Sequence, residues 1–513
     1  MKAKAVQIQW HRMQTITSVD FSPTVPGKFA TAGGDNFARV WQVSEVDGKS
    51  EVQFCSTLAG HLAGVNVVRW SRSGDRIATG DNVGSICLWH QVPKSADLGR
   101  NLLVDDEDID SYTEMWRQCA ILTGHKDEVN DLVWSPCGKY LASVGTDQKL
   151  RIWDVARGDV IGSAHNHTDM IQGVAWDPLG QFIATQSIDR SCLVYTLALQ
   201  QMDAKRTIAS LKLINKSTRI EDTTSVAAAV PPASPPARKK YHRLFSDPTT
   251  TSTSFFRRLQ FSPDGQLLLC PAAHLNDAHA VLVYSRATWA ASNAPPVLAL
   301  PGFTHPAWAV RFAPALFPVS GSGIVELPYR MVFAVGGDDA LVVYDTQSAF
   351  PRAVLTGFHV YRYQDLAWSC DARHLVAVSH DGFCTVVSLD ETDLGGKMLE
   401  VGDVEAPEPV RAAVFGQGAQ STAAPHTPGG ARAAVAAPAP VLAGNASSSK
   451  KRIAPTLVSS YSATGDSVPS AETTAASTPA AGAGAALAPA PAPAKKRIAP
   501  TLVTLFSSTP PPQ

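Results

Sequence analysis

The sequence has no surplus of charge of either sign: across 513 residues, 44 lysines and arginines face 45 aspartates and glutamates, a formal net charge of -1 at pH 7. Without a global basic field the chain is not drawn as a whole to nucleic acid or to an anionic membrane, so any such binding must be local. Cysteine is scarce. The eight present are scattered, at positions such as Cys55, Cys137 and Cys270, with no CxxC pair, which suggests neither a zinc site nor a disulfide framework. Cys87 and Cys192, which fall in predicted strands, read as buried thiols. No apolar run reaches the roughly 20 residues of a membrane span. The first ten residues, MKAKAVQIQW, lack the long apolar core of a secretory signal. An intracellular protein with no membrane partner is expected. A phosphate-binding glycine loop, a nucleophile elbow and a zinc-spaced ligand set are also missing, so neither metal, cofactor nor catalytic residue is expected.

What the sequence has instead is repetition. Leu122 to Asp154, LTGHKDEVNDLVWSPCGKYLASVGTDQKLRIWD, has weaker copies from one end of the chain to the other. Gly124-His125 opens the unit and Leu132-Val133-Trp134 gives a buried strand. Ser135-Pro136-Cys137-Gly138 is a turn, and Tyr140 to Val144 a second strand. Asp147 sits in the next turn, six residues before Trp153, and Leu150 to Trp153 alternates as a half-exposed strand does. This is the pattern of a WD40 β-propeller blade. In such a blade His125, Ser143, Asp147 and Trp153 are expected to form a buried hydrogen-bonded set with a structural, not catalytic, role.

In chain order, Ala3 to Trp10 alternates like a strand ahead of the first full repeat, so it is expected to supply the missing strand of the last blade and close the ring. Blade one follows, with Asp35 six residues before Trp41. Blade two opens at Gly60-His61 but carries Val83 where aspartate is expected, which predicts an incomplete network. Trp153 follows Trp89 by 64 positions, more than the forty-odd of one blade. The surplus, near 98–114, holds an acidic run that includes Asp105, Asp106, Glu107 and Asp108. Blade four runs from His165 or His167 to Asp189 and Tyr195. The polar, proline-rich stretch near 200–240 reads as a long insertion. Blade five resumes at Phe255, blade six spans His305, Trp308, Asp338 and Tyr344, and blade seven spans His359, Trp368 and Asp381. The fold class is therefore all-β: a seven-bladed WD40 propeller over residues 1–394.

From 395 to 513 the composition turns to Ala, Pro, Ser, Thr and Gly without periodicity, which predicts a disordered tail. Within it one nonamer, KKRIAPTLV, occurs twice without a mismatch, at 450–458 and 495–503. Its chemistry is that of a short linear ligand. Pro455 and Pro500 bias the preceding residue toward extended geometry, Ile453 with Leu457, and Ile498 with Leu502, offer apolar anchors, and Lys451, Arg452, Lys496 and Arg497 add positive charge for an acidic patch. Such a peptide can pair with an exposed sheet edge. The same KKR cluster also fits a nuclear import signal. Ser234, Thr427, Thr478 and Thr509 each precede proline in segments read as disordered, where proline-directed kinases could reach them.

More particular than the repeats are NVVRWS at 66–71, QGVAWDPLGQFIAT at 172–185, SFFRRLQFSPDG at 254–265 and LPYRMVFAV at 327–335. On these the chain resembles the WD40 subunits of chromatin assembly factor 1, with kinship to the HIRA-type chaperones. The resemblance implies a nuclear, non-catalytic part of a histone H3 and H4 chaperone for replication-coupled nucleosome assembly, joined to a large and a small subunit, with no sequence-specific nucleic acid. It also implies that the tail cores Arg452-Ile453-Ala454-Pro455 and Arg497-Ile498-Ala499-Pro500 bind the chaperone anti-silencing function 1. The acidic run is then a candidate histone contact, because histones are basic, although an acidic run is also what a solvated loop looks like. The alternatives are a WD40 substrate receptor or generic scaffold of a nuclear ubiquitin ligase, or a HIRA-like replication-independent chaperone.

Overall fold

Seven antiparallel blades succeed one another along the chain, six of four strands and, among the described residues, blade six of five. The computed structural model describes residues 1–6, 10–47, 49–94, 112–203, 206–221, 241–246, 254–275, 278–289, 295–321, 323, 327–348, 350–400, 403–404, 406–415 and 501–503. The innermost strands of blades one to seven are Ile16–Phe21, Val65–Trp70, Val129–Trp134, Ile171–Trp176, Gln260–Phe261, Ala309–Phe312 and Tyr363–Trp368. Those of blades two, four and seven are buried at every position. A strand flanked by neighbouring blades on both faces buries its polar members too, here Asn66, Arg69, Gln172, Gln364 and Asp365, so the alternation of buried and exposed positions is lost. The outer strand of blade one, Lys49–Ala59, alternates over its first half because one face meets water.

The first two strands of a blade are joined by the serine-glycine turn. Ser135 Oγ accepts the Tyr140 amide at 3.0 Å, as Ser71 does for Arg76 and, at 2.9 Å, Ser262 does for Leu267. Gly138, Gly74 and Gly265 hold φ of 69°, 74° and 71°, a left-handed conformation that glycine enters without a Cβ penalty. Tryptophans at the ends of inner strands tie blades together: the Trp134 indole donates to the Arg69 carbonyl and that of Trp368 to the Arg311 carbonyl, each at 3.0 Å.

The ring closes as the sequence predicts. Lys2–Val6 pairs antiparallel with Cys384–Ser388, Lys2 opposite Ser388 and Val6 opposite Cys384, as the fourth strand of blade seven. The strand ends at Val6 and does not reach Trp10. That tryptophan is fully buried, donates to the Val6 carbonyl at 3.1 Å and packs edge-on against Trp41.

Two expected boundaries move. Most of the first part of the stretch near 200–240 is no insertion: Arg206–Ser217 pairs with Ser191–Asp203 in a long hairpin and forms the outer strand of blade four. Ala209, Leu211 and Leu213 alternate with Ser210 and Lys212 and turn toward the core, a period of two that Ile208 and Ile214 on the other face interrupt. Arg219–Glu221 then pairs with Tyr241–Arg243, and 222–240 lie outside the described residues. The ordered body also continues past 394. The Leu399 amide bonds to the Leu316 carbonyl at 2.8 Å, Val404 and Val410 are buried, and Glu408–Phe415 is helical. The apolar anchors there are too sparse within an alanine-, proline- and glycine-rich run to form a visible period.

Candidate functional site

The network expected in blade three is present. His125 Nδ1 lies 3.0 Å from Asp147 and its Nε2 2.6 Å from Ser143 Oγ, and the Trp153 indole donates to that same hydroxyl at 2.7 Å. The assigned order runs from indole to hydroxyl to imidazole to carboxylate. It has the members of a Ser-His-Asp triad but not its access: Ser143 is fully buried and its oxygen already receives the indole proton. Burial lowers the His125 pKa, against the pull of Asp147, which favours the charged ring. Burial would raise that of Asp147, but His125 and Arg151 outweigh it and hold the carboxylate charged. The set is a strut between strands.

Other blades repeat it with changes that local spacing hides. In blade one the histidine is His11, which follows no glycine. It reaches Asp35 at 2.7 Å and Thr31 at 2.8 Å, and Trp41 donates to Thr31. In blade four it is His167, bonded to Asp189 and Thr185, while His165 is exposed. In blade seven His359 meets Asp381, and the hydroxyl comes from Thr385, directly across the sheet from Ala377 on the neighbouring strand. Blade six departs: His305 stands exposed, and Trp308 donates to Asp338 instead.

Blade two corrects the sequence reading, for its network is complete. Asp81, two residues before Val83, brings its carboxylate to 2.7 Å from His61 Nδ1, and Thr79 takes both His61 Nε2 at 2.6 Å and the Trp89 indole at 2.8 Å. Asp81 also caps the turn by accepting from the Val83 and Ser85 amides. Asp81→Ala is therefore expected to strand a buried imidazole donor and cost about 1–3 kcal/mol, whereas Val83→Asp adds a carboxylate to an occupied site and should stay within about 0.5 kcal/mol. Urea denaturation of both variants checks the contrast. Equal effects would return the role to position 83.

A second arrangement lies where the inner strands meet, built from residues hundreds of positions apart. Asp365 of blade seven accepts from Ser18 of blade one and Arg69 of blade two, each at 2.8 Å, and from Arg311 of blade six at 3.0 Å, with Arg258 Nε of blade five at 3.4 Å. Asp131 of blade three pairs with Arg69 at 3.1 Å and with Arg258, and accepts the Val174 amide of blade four at 3.1 Å. All seven blades thus contribute to one buried hub. Burial alone would raise the Asp365 pKa, but Arg69, Arg311 and Arg258 hold it well below the carboxylate range. Asp20, also in blade one, accepts the Trp70 backbone amide at 2.8 Å, and burial pushes it up to about 6 despite Arg69.

Of the tail residues proposed as partner ligands, Leu502 alone is placed, in the strand Thr501–Val503. Lys451, Arg452, Ile453, Pro455, Leu457, Lys496, Arg497, Ile498 and Pro500 lie outside the described residues. So do Asp105, Asp106, Glu107 and Asp108, and Ser234, Thr427, Thr478 and Thr509. The tail strand pairs antiparallel with Ala353–Thr356, the outer strand of blade six, Leu502 opposite Leu355; no spacing rule pointed to that contact. All eight cysteines are free thiols, and Cys87 and Cys192 are buried as predicted. Among the described residues no group of three or more His, Cys, Asp or Glu is placed to hold a metal ion, and no helix is long and apolar enough to cross a membrane.

Seven WD40 blades, struts that consume their own histidines and a charged hub set between the inner strands define a propeller scaffold. The chain belongs to the CAF1B/HIR1 β-propeller domain family, which residues 1–394 match. It is 32% identical over 405 residues to the chromatin assembly factor 1 subunit FAS2 homolog of Oryza sativa subsp. japonica, covering 77% of this chain and 74% of that one. A chromatin assembly factor 1 subunit of Schizosaccharomyces pombe is 30% identical, over 89% of this chain and 100% of its own. Protein hir1 of Emericella nidulans is 24% identical, over 75% of this chain and 35% of its own.

Proposed function

We propose that the chain is the non-catalytic propeller subunit of chromatin assembly factor 1. In this reading it joins a large and a small subunit in the nucleus and helps deliver histones H3 and H4 to replicated DNA. Its tail nonamers bind anti-silencing function 1. The observation that carries the reading is the contrast among relatives: those named as chromatin assembly factor 1 subunits match over 69% or more of their own length at 30–32% identity, whereas the HIR1 proteins match over 33–35% of theirs at 24–26%. A propeller that spends its histidines and buried charges on its own closure suits a platform that positions partners.

Affinity capture of the full chain from nuclear extract is expected to recover two further subunits, histones H3 and H4, and anti-silencing function 1. Recovery of ubiquitin-ligase scaffolds in their place would sink the reading in favour of a substrate receptor. In the same assay, serine at 105, 106, 107 and 108 should lower histone retention if the acidic run makes a contact, and unchanged retention removes that contact.

A further inference from the structure

Blade six ends at its rim in Ala353–Thr356, which at four residues is the shortest outer strand of the ring. An outer strand leaves one row of amides and carbonyls without a ladder partner, and such a row accepts any extended segment that reaches it. Here Thr501–Val503 takes the place, Val354 opposite Val503, Leu355 opposite Leu502 and Thr356 opposite Thr501, making blade six five-stranded among the described residues. The segment suits the task. Pro500 immediately precedes it, and a proline lacking an amide proton is tolerated at the start of a strand. Thr501 and Val503 are β-branched, as strand positions favour.

These three residues are the last third of the nonamer at 495–503, and the copy at 450–458 ends in the same Thr456-Leu457-Val458. The pairing is made by backbone, so nothing in it distinguishes one copy from the other. We propose that the outer edge of blade six is a docking site in cis for the tail nonamer, open to either copy, so that one copy is held on the propeller while the other is free for a partner. Docking within one chain needs little intrinsic affinity, because both copies are always tethered to the edge, and three paired residues supply only a weak ladder. The duplication then has a use: a single copy would have to leave the propeller before it could bind in trans, whereas with two copies one is always released. The arrangement also covers an edge that would otherwise be open to pairing with another chain.

The proposal concerns the isolated chain alone, so its test does not depend on the identity of any partner. Hydrogen exchange is followed by mass spectrometry on the full chain and on Val503→Pro, Val458→Pro and the double variant, since Val503 stands opposite Val354, whose backbone groups face away from the rest of blade six, and proline removes the ladder amide at that position. In the unaltered chain, slow exchange is expected at 353–356 and at 501–503. Val503→Pro should leave 353–356 protected while protection appears at 456–458. The double variant should speed exchange at 353–356 by about tenfold or more, with the blade-three outer strand at 159–164 unchanged as the control for folding. Exchange at 353–356 that ignores the double variant overturns the docking. Full loss in Val503→Pro with no protection at 456–458 overturns the equivalence of the two copies.

Discussion

Asp365→Ala is expected to cost about 3–5 kcal/mol of propeller stability, the range for removing one partner of a buried ion pair. The reason is the charge count of the hub. Arg69, Arg258 and Arg311 bring three positive charges that Asp365, Asp131 and Asp20 offset, and Asp365 touches all three guanidiniums while itself fully buried. Without it, Arg311 loses its direct carboxylate partner and a net positive charge is left in a largely buried site. Asp365→Asn keeps the shape and the acceptor for the Leu366 amide but not the charge, and should fall with alanine rather than with the native residue. Urea denaturation followed by tryptophan fluorescence reads both, and a loss below about 1 kcal/mol in each would mean that the hub contributes no more than a surface pair.

The second large effect lies in the tail. If each nonamer binds anti-silencing function 1 by strand addition, Ile453 or Ile498 fills a pocket and Arg452 or Arg497 meets a carboxylate. Losing a buried anchor costs about 2 kcal/mol or more, roughly thirtyfold in affinity. Ile453→Ala should then nearly abolish binding by the isolated first peptide. In the full chain the second copy remains, and losing one of two equivalent sites costs only a factor of about two, about 0.4 kcal/mol. Ile453→Ala with Ile498→Ala should release the partner while leaving the propeller folded. Calorimetry on the four full-length forms decides it: full affinity in the double variant removes the assignment, and complete loss from one single variant shows that the other copy is silent.

The blade three strut was legible because all its members lie within one repeat, from His125 to Trp153. Blade two was misread for an instructive reason: the strut needs a carboxylate at a point in space, and a turn that starts from Asp81 reaches it as well as one that carries aspartate at position 83. His11 carries no local mark, because the usual glycine before the histidine is absent, although the spacing from Asp35 to Trp41 is a usable signal. His305 shows the converse, a residue in register with the repeat whose side chain the fold leaves in water.

By itself the sequence determined the seven blades, the closure of the ring by the amino-terminal strand and the duplicated nonamer. Each of these is written in local period, turn chemistry or identity, and local backbone preference together with the burial of one face is enough to specify it. The tertiary structure alone decided the hub, the outer strand of blade four and the pairing of the tail with blade six. Asp365 and Ser18 are 347 positions apart, and no periodicity relates them. They meet because a closed ring turns every inner strand toward one axis, and buried charges brought together there must neutralise one another. The edge of blade six is likewise a property of the ring, since a strand becomes an edge only after its neighbours have been placed.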